Sequence, residues 1–210
     1  QILSSLAFNC FINKSKINVE GINNIDQTDI KNARILGYKI KHLGVAELEN
    51  GKLIQGVYPC LVKKESHISN VNDVLNAIII EGKPIGKLVI QGQGAGPGPT
   101  VSALVSDICS ILKGNTNFPF SASQANRKKI TSLDLSNKIF SSYIRLDVLD
   151  KKGVLSSITK IMSKNQISVK RLIQNPFRSK KFASIIIVSH KAKNCNLVKC
   201  INELGKKNFI

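Results

Sequence analysis

Two short stretches of this 210-residue chain combine residue types that could do chemistry. The first is Gly92-Gln-Gly-Ala-Gly-Pro-Gly-Pro-Thr100, lying between an alternating strand pattern and an amphipathic helix pattern. Glycines there let backbone approach a flat ligand with no Cβ in the way, and amides at a helix start attract anions through the helix dipole. A tight structural turn would use the same residues, and spacing alone does not separate the two readings. The run is not a GxGxxG dinucleotide fingerprint, because no βαβ unit of the right size follows it. The second stretch is Asp150-Lys-Lys-Gly-Val-Leu155, a turn leading into a helical stripe. Its free amides suit a carboxylate. Asp150 can accept a bond from a ligand ammonium or cap the helix. Cys10, Cys60, Cys109, Cys195 and Cys200 form no CxxC pair and are odd in number, and His42, His67 and His190 are scattered. No metal site is therefore expected, and the thiols point to a reducing, cytoplasmic setting.

The elements that must position these stretches follow from periodicity. The opening apolar run through Lys14 reads as a core helix whose beginning is absent. It lacks the basic leader of a signal peptide, and no Met stands at position 1, so the chain is expected to be a fragment. Ile30, Ala33, Leu36 and Ile40 keep a helical spacing that Gly37 interrupts, after which 38–46 turns into a strand. Asn50-Gly51 predicts a hairpin, and 75–81 and 87–91 predict another around Gly82–Gly86. Val101, Leu104, Val105, Ile108, Ile111 and Leu112 fall on one face of a helix expected to be buried, with Pro99 in its first turn. Residues 116–138 lose periodicity and read as a linker, ordered only where Phe118 and Phe120 find a surface.

A new pattern starts at 139. Ile144, Leu146 and Val148 share a strand face, and Val154, Leu155, Ile158, Ile161 and Met162 make a helical stripe. Strands are expected over 166–173 and 182–190, then a helix marked by Leu197, Ile201 and Leu204. The order β-α-β-β-α, with room for a last strand only beyond Lys206, is the ferredoxin-like split βαβ pattern. So small a domain buries little core alone and is expected to pair with a copy of itself, as a homo-oligomer.

The formal charge of +18 is steepest from Lys151 onward, where 14 Lys and Arg face only Glu203. Such a surface could attract nucleic acid or anionic lipid. Basic residues do not interleave with aromatics, which are 5% of the chain, and no nucleic-acid motif is present. No nucleic-acid or membrane partner is expected, and no apolar run approaches the roughly 18–20 residues of a bilayer span.

The motifs Glu20-Gly-Ile, Asp29-Ile…Ala33…Leu36-Gly-Tyr-Lys-Ile-Lys41, Val57-Tyr-Pro59, Asn76-Ala-Ile…Glu81-Gly82 and Gly94-Ala-Gly96…Pro99-Thr100…Ser102-Ala103…Asp107-Ile108 together resemble the bacterial homoserine dehydrogenase family over residues 1 to about 113. Tyr143-Ile-Arg-Leu-Asp-Val, Asp150-Lys-Lys-Gly-Val-Leu155, Asn165-Gln-Ile-Ser168 and Leu172-Ile-Gln174 resemble an ACT domain, with Lys152 where the family usually has Pro. The resemblance implies an α+β architecture. Residues 1–115 would be the C-terminal part of a mixed-sheet catalytic domain, 116–138 the linker, and 139–210 a ferredoxin-like βαββαβ ACT domain. It implies interconversion of L-homoserine and L-aspartate 4-semialdehyde with NAD or NADP, on the way to threonine, isoleucine and methionine. Feedback would act through the ACT domain, with threonine the first effector to test.

The resemblance further implies that the cofactor is bound mainly by a Rossmann domain N-terminal to this chain. The catalytic lysine would lie just before Gln1, so no catalytic residue is expected here and the fragment alone should be inactive. Gly94, Ala95 and Gly96 carry over as cofactor-contacting, with Gly96 foremost. Asp150, Gly153, Val154, Leu155 and, across an interface, Ser168 carry over as effector-binding. Glu20 reads as structural. The alternative is a stand-alone amino-acid-binding regulatory module without catalysis.

Overall fold

The structure, a computed structural model, describes residues 2–11, 17–115, 126–133, 135–176 and 181–210. In chain order its elements are α1 (Ile2–Phe8), β1 (Asn18–Val19), α2 (Gln27–Ile35), β2 (Tyr38–Glu49), β3 (Lys52–Lys63), β4 (Leu75–Gly82), β5 (Gly86–Gln93), α3 (Pro97–Leu112), β6 (Ile139–Phe140), β7 (Tyr143–Leu149), α4 (Val154–Lys164), β8 (Val169–Pro176), β9 (Phe182–Ser189), β10 (Ala192–Lys193) and α5 (Asn194–Leu204). They divide into two compact units. One holds residues 1–24 and 33–132, the other 25–32 and 133–210.

In the first unit β2 and β3 form a long antiparallel hairpin, with β1 parallel to β3 on its other edge. Asn50 and Gly51 turn it with φ of 50° and 74°, the left-handed pair a tight hairpin of this hand requires. Gly37 ends α2 at φ 83°, its N–H returning to the Arg34 carbonyl. That bond frees the chain to turn into β2 at Tyr38. The β4–β5 hairpin forms as the alternation predicts, paired from Leu75–Gln93 to Gly82–Gly86.

Two expectations fail in this unit. The opening residues are helical, but Ile2, Leu3 and Leu6 are exposed while Ser4 and Ser5 are buried, so α1 is no core helix within this chain. Likewise α3 has no buried residue, and Val101, Leu104, Val105, Ile108, Ile111 and Leu112 are all exposed. The amphipathic stripe is there, but the surface it should cover is not among the described residues.

The expected linker is partly structured. Lys128 bridges Cys10, Ser132 bridges Leu53, and Leu135–Asn137 makes one 3-10 turn. Phe118 and Phe120 lie outside the described residues.

The second unit is a three-stranded antiparallel sheet in the order β7-β9-β8, with α4 and α5 on one face. Alternation sends Ile144, Leu146 and Val148 of β7 to that face, where they meet Ile158, Ile161 and Met162 of α4, Ile185 and Ile187 of β9, and Cys200 and Leu204 of α5. Ile201, one of the three residues that mark this helix in the sequence, is exposed, and Cys200 takes the buried place one position earlier. A fourth strand does not form. The residues after α5 contribute a bond to that edge, from the Leu149 N–H to the Phe209 carbonyl.

Candidate functional site

The glycine run lies on the surface as a strip of bare backbone between β5 and α3. Its glycines are not equivalent. An ideal Cβ at Gly94 would fall 1.4 Å from Asn76 Nδ2, the tip of an exposed side chain, so a substitution there would make Asn76 turn aside rather than strain the backbone. Gly96, the N-cap of α3, sits at φ 116° and ψ 161°, a conformation essentially reserved for glycine. A Cβ there would otherwise meet only Pro99 Cδ, at 3.7 Å. Gly92 and Gly98 have open space around them and no positive φ. Gly96→Val would therefore strain the backbone whatever lies opposite, and the clean probe of the strip is Ala95.

The helix start is a poor anion cradle. Pro97 and Pro99 have no N–H, and the Thr100 N–H and Oγ1 both donate to the Gly96 carbonyl, leaving Gly98 as the one unspent donor of the first turn. The strip suits the face of a flat apolar ring better than a phosphate.

In the second unit the turn after β7 behaves differently. Gly153 is the N-cap of α4 at φ 87°, with no side chain capping the helix. Asp150 is thus not the cap. Its N–H donates to the Lys181 carbonyl, and its Oδ1 accepts from Gln174 Nε2 at 3.4 Å. Val154, the first residue of α4, returns its N–H to the Lys151 carbonyl and buries its side chain. The turn therefore combines first-turn amides of α4 (Leu155, Ser156) with the exposed Asp150 carboxylate, donors and an acceptor as an amino acid needs. Ser168 does not meet them. It precedes β8 at the sheet end where β7 begins, and it lines an open depression of ≈ 470 Å³ with Thr159, Ser163, Gln166, Ile167 and Val169. Within one chain, then, the five effector-site residues are not one constellation.

Glu20 acts through its backbone. Its N–H donates to the Val57 carbonyl, and its carbonyl lies 3.0 Å from His42 Nε2. Among the described residues no group of three or more His, Cys, Asp or Glu side chains converges as a metal site, and no helix is long and apolar enough to cross a membrane.

One cluster was missed. On the sheet face away from α4 and α5, Tyr143 Oη donates to Asp29 Oδ1 at 2.7 Å. Arg145 Nη1 lies 2.5 Å from Asp26 Oδ2 and 3.1 Å from Asp29 Oδ2. Asn175 Nδ2 donates to Asn32 Oδ1 at 3.1 Å. The Arg145 bond holds the Asp26 carboxyl down to about 2, and the same contact raises Arg145. Burial, then the bond to Asp29, pushes the Tyr143 phenol far above its usual value. The signal available was the polar alternation Tyr143, Arg145, Asp147 along β7. It told of a polar partner for that face but could not say that the partner lies over 110 residues away.

With this geometry in hand, comparison with known proteins places the chain. Residues 1–109 match the family profile described as homoserine dehydrogenase, and residues 142–194 match the ACT domain. The chain belongs to the homoserine dehydrogenase family. It is 35% identical to the homoserine dehydrogenase of Neisseria gonorrhoeae, over 90% of this chain and 45% of that protein. To that of Helicobacter pylori it is 31% identical, over 97% of this chain and 48% of that one. A solved homoserine dehydrogenase from Thiobacillus denitrificans superposes with a TM-score of 0.87 at 27% identity, covering 99% of this chain and 48% of the other. The chain spans about half the length of the curated relatives it matches. Its glycine strip lies inside the homoserine dehydrogenase match and its Asp150 turn inside the ACT match.

Proposed function

We propose that this chain forms part of an NAD- or NADP-dependent enzyme that interconverts L-homoserine and L-aspartate 4-semialdehyde. The rest of that enzyme, of about equal length, would carry the dinucleotide-binding domain and the catalytic lysine. Family membership supports the reaction class. The observation that carries the reading is the bare strip Gly94-Ala95-Gly96 at the head of a helix whose apolar side has no cover among the described residues. A 16-residue helix exposing Leu104, Ile108 and Leu112 to water is poorly stable by itself and calls for an apolar partner surface. A stand-alone amino-acid-binding module would leave that face wet, which disfavours the second reading.

In this proposal Gly94, Ala95 and Gly96 lie against the nicotinamide end of the cofactor, and the bare backbone lets the ring approach. The residues here position and shield, and the proton transfer belongs to the lysine outside this chain. General acid–base work needs that group within hydrogen-bond reach of the reacting oxygen, so the 210 residues alone should not turn over. The ACT domain binds an amino acid, its carboxylate on the amide of Leu155 and its ammonium on Asp150. Gly153 and Val154 set the turn, and Ser168 of a second copy completes the site in a cytoplasmic homo-oligomer. Threonine, an end product of the pathway, is the proposed effector.

Steady-state kinetics of the full-length Ala95→Leu variant test the cofactor contact. A rise in cofactor KM of about tenfold, roughly 1.4 kcal/mol of lost binding, is expected with unfolding unchanged. Wild-type KM and kcat would refute the placement of the strip.

A further inference from the structure

The sheet of the second unit has two faces, and only one is explained by its helices. Ile186 and Val188 of β9 point away from α4 and α5, yet they are 0% and 3% exposed. Among the described residues, the segment 25–32 bonds to that face, and it belongs to this unit by its contacts although it lies more than 100 residues earlier. Asp26 and Asp29 hold Arg145 and Tyr143 on β7, and Asn32 holds Asn175 on β8, so the segment spans the sheet from one edge strand to the other.

The turn that follows β7 is tied to this segment by adjacent residues of β8. Gln174 points to the helix side and donates to Asp150 Oδ1 at 3.4 Å. The next residue, Asn175, points to the opposite face and donates to Asn32 Oδ1 at 3.1 Å. One peptide unit thus joins the Asp150 turn to the 25–32 segment, as strand alternation dictates. A second route runs along β7, which carries Tyr143 and Arg145 and ends at Leu149, next to Asp150. The joint is also imperfectly satisfied. Asn32 Nδ2 and the Oγ of Ser184, the residue paired with Asn175, are both buried with no hydrogen-bond partner. Unpaired buried polar groups are costly, so a modest rearrangement that paired them would offset its own cost.

We propose that residues 25–32 are the relay of the ACT domain, an element whose hold on Tyr143, Arg145 and Asn175 changes when an amino acid occupies the Asp150 turn. The segment continues without a break through Ala33–Ile35 of α2 into β2, both in the homoserine dehydrogenase match, so a change in its seating is passed on by the chain itself. The relay rests on the amino-acid-sensing reading above. It adds the route and the residues, Asp26, Asp29, Asn32, Tyr143, Arg145, Gln174 and Asn175.

The test uses the full-length protein with L-threonine, L-isoleucine and L-methionine as probes. Three things are read: binding heat, hydrogen exchange of amides 27–35, and inhibition of turnover. In the wild type, the amino acid that gives heat should change exchange at 27–35. Asn175→Ala and Gln174→Ala should keep its Kd within about threefold and basal turnover unchanged, yet lose about fivefold or more of the inhibition, the lower end of typical allosteric coupling. Gln174 is exposed, so its variant serves if Asn175→Ala fails to fold. Binding heat with unchanged exchange at 27–35, or undiminished inhibition in a folded variant, would overturn the relay while sparing the sensing reading. No heat with any of the three amino acids would reject both.

Discussion

Tyr143→Phe isolates the most consequential bond in the second unit. Tyr143 Oη donates to Asp29 Oδ1 at 2.7 Å, and Asp29 is 4% exposed. Oδ2 keeps the Asp26 N–H and the Arg145 guanidinium, each at 3.1 Å, so the substitution strands one buried carboxylate oxygen. A hydrogen bond to a charged group contributes about 1.5–3 kcal/mol, and leaving the acceptor buried forfeits all of it. Asp26→Asn is the matched control. The Asp26 side chain is 54% exposed, and an exposed ion pair contributes about 0–1 kcal/mol however short its contact. Tyr143→Phe should therefore destabilise by about 2 kcal/mol, which for a unit below 100 residues is about 8–16 °C in Tm. Asp26→Asn should move Tm by a few degrees at most. Calorimetry and urea unfolding of the 210-residue chain at pH 7 measure both. A Tyr143→Phe variant as stable as wild type, or an Asp26→Asn variant that loses more, would show that residues 25–32 are not seated on the sheet as described.

The same cluster sets a pH profile. Asp26 is depressed by Arg145, so its contribution is full above its unfolded value of 3.8 and disappears as pH falls towards 2. Urea midpoints across pH 2–5 should show this limb, and Arg145→Met should flatten it. Tyr143 is raised by burial and Asp29, so its contribution holds below pH 10 and declines above it, a limb that Tyr143→Phe should abolish. Gly153→Ala places a Cβ at φ 87° and should cost about 1–2 kcal/mol in urea unfolding. Met162→Ala empties a fully buried site and should cost about 2–5 kcal/mol by the same measurement.

Local signals predicted local structure well. Asn50-Gly51 announced the long hairpin, Gly37 the end of α2, and the stripe from Val154 to Met162 a helix on a sheet, because each depends on neighbours within a few residues. The α3 stripe was legible as a helix but misled about burial, since periodicity reports which face wants cover and not whether the cover lies in the same chain. The donor-poor start of α3 was present in Pro97 and Pro99 from the outset, and it reshapes the glycine strip from an anion cradle into a flat ledge. What the sequence could not show was non-local. Asp26 and Asp29 look like the N-terminal acids of an ordinary helix, and they do serve α2, since Asp26 Oδ1 accepts the Thr28 and Asp29 amides. Their second role appears only once β7 lies beneath them. Likewise Cys200, and not its neighbour Ile201, fills the core between Leu197 and Leu204, a difference too small for an apolar pattern to resolve.

The proposed reaction is measured directly on the full-length protein. The full-length protein is purified and mixed with L-aspartate 4-semialdehyde and NADPH or NADH, and absorbance at the nicotinamide band is followed. Substrate-dependent loss of reduced cofactor is expected with the full-length protein and none with the 210-residue chain. No oxidation by the full-length protein with either cofactor would contradict the proposed reaction.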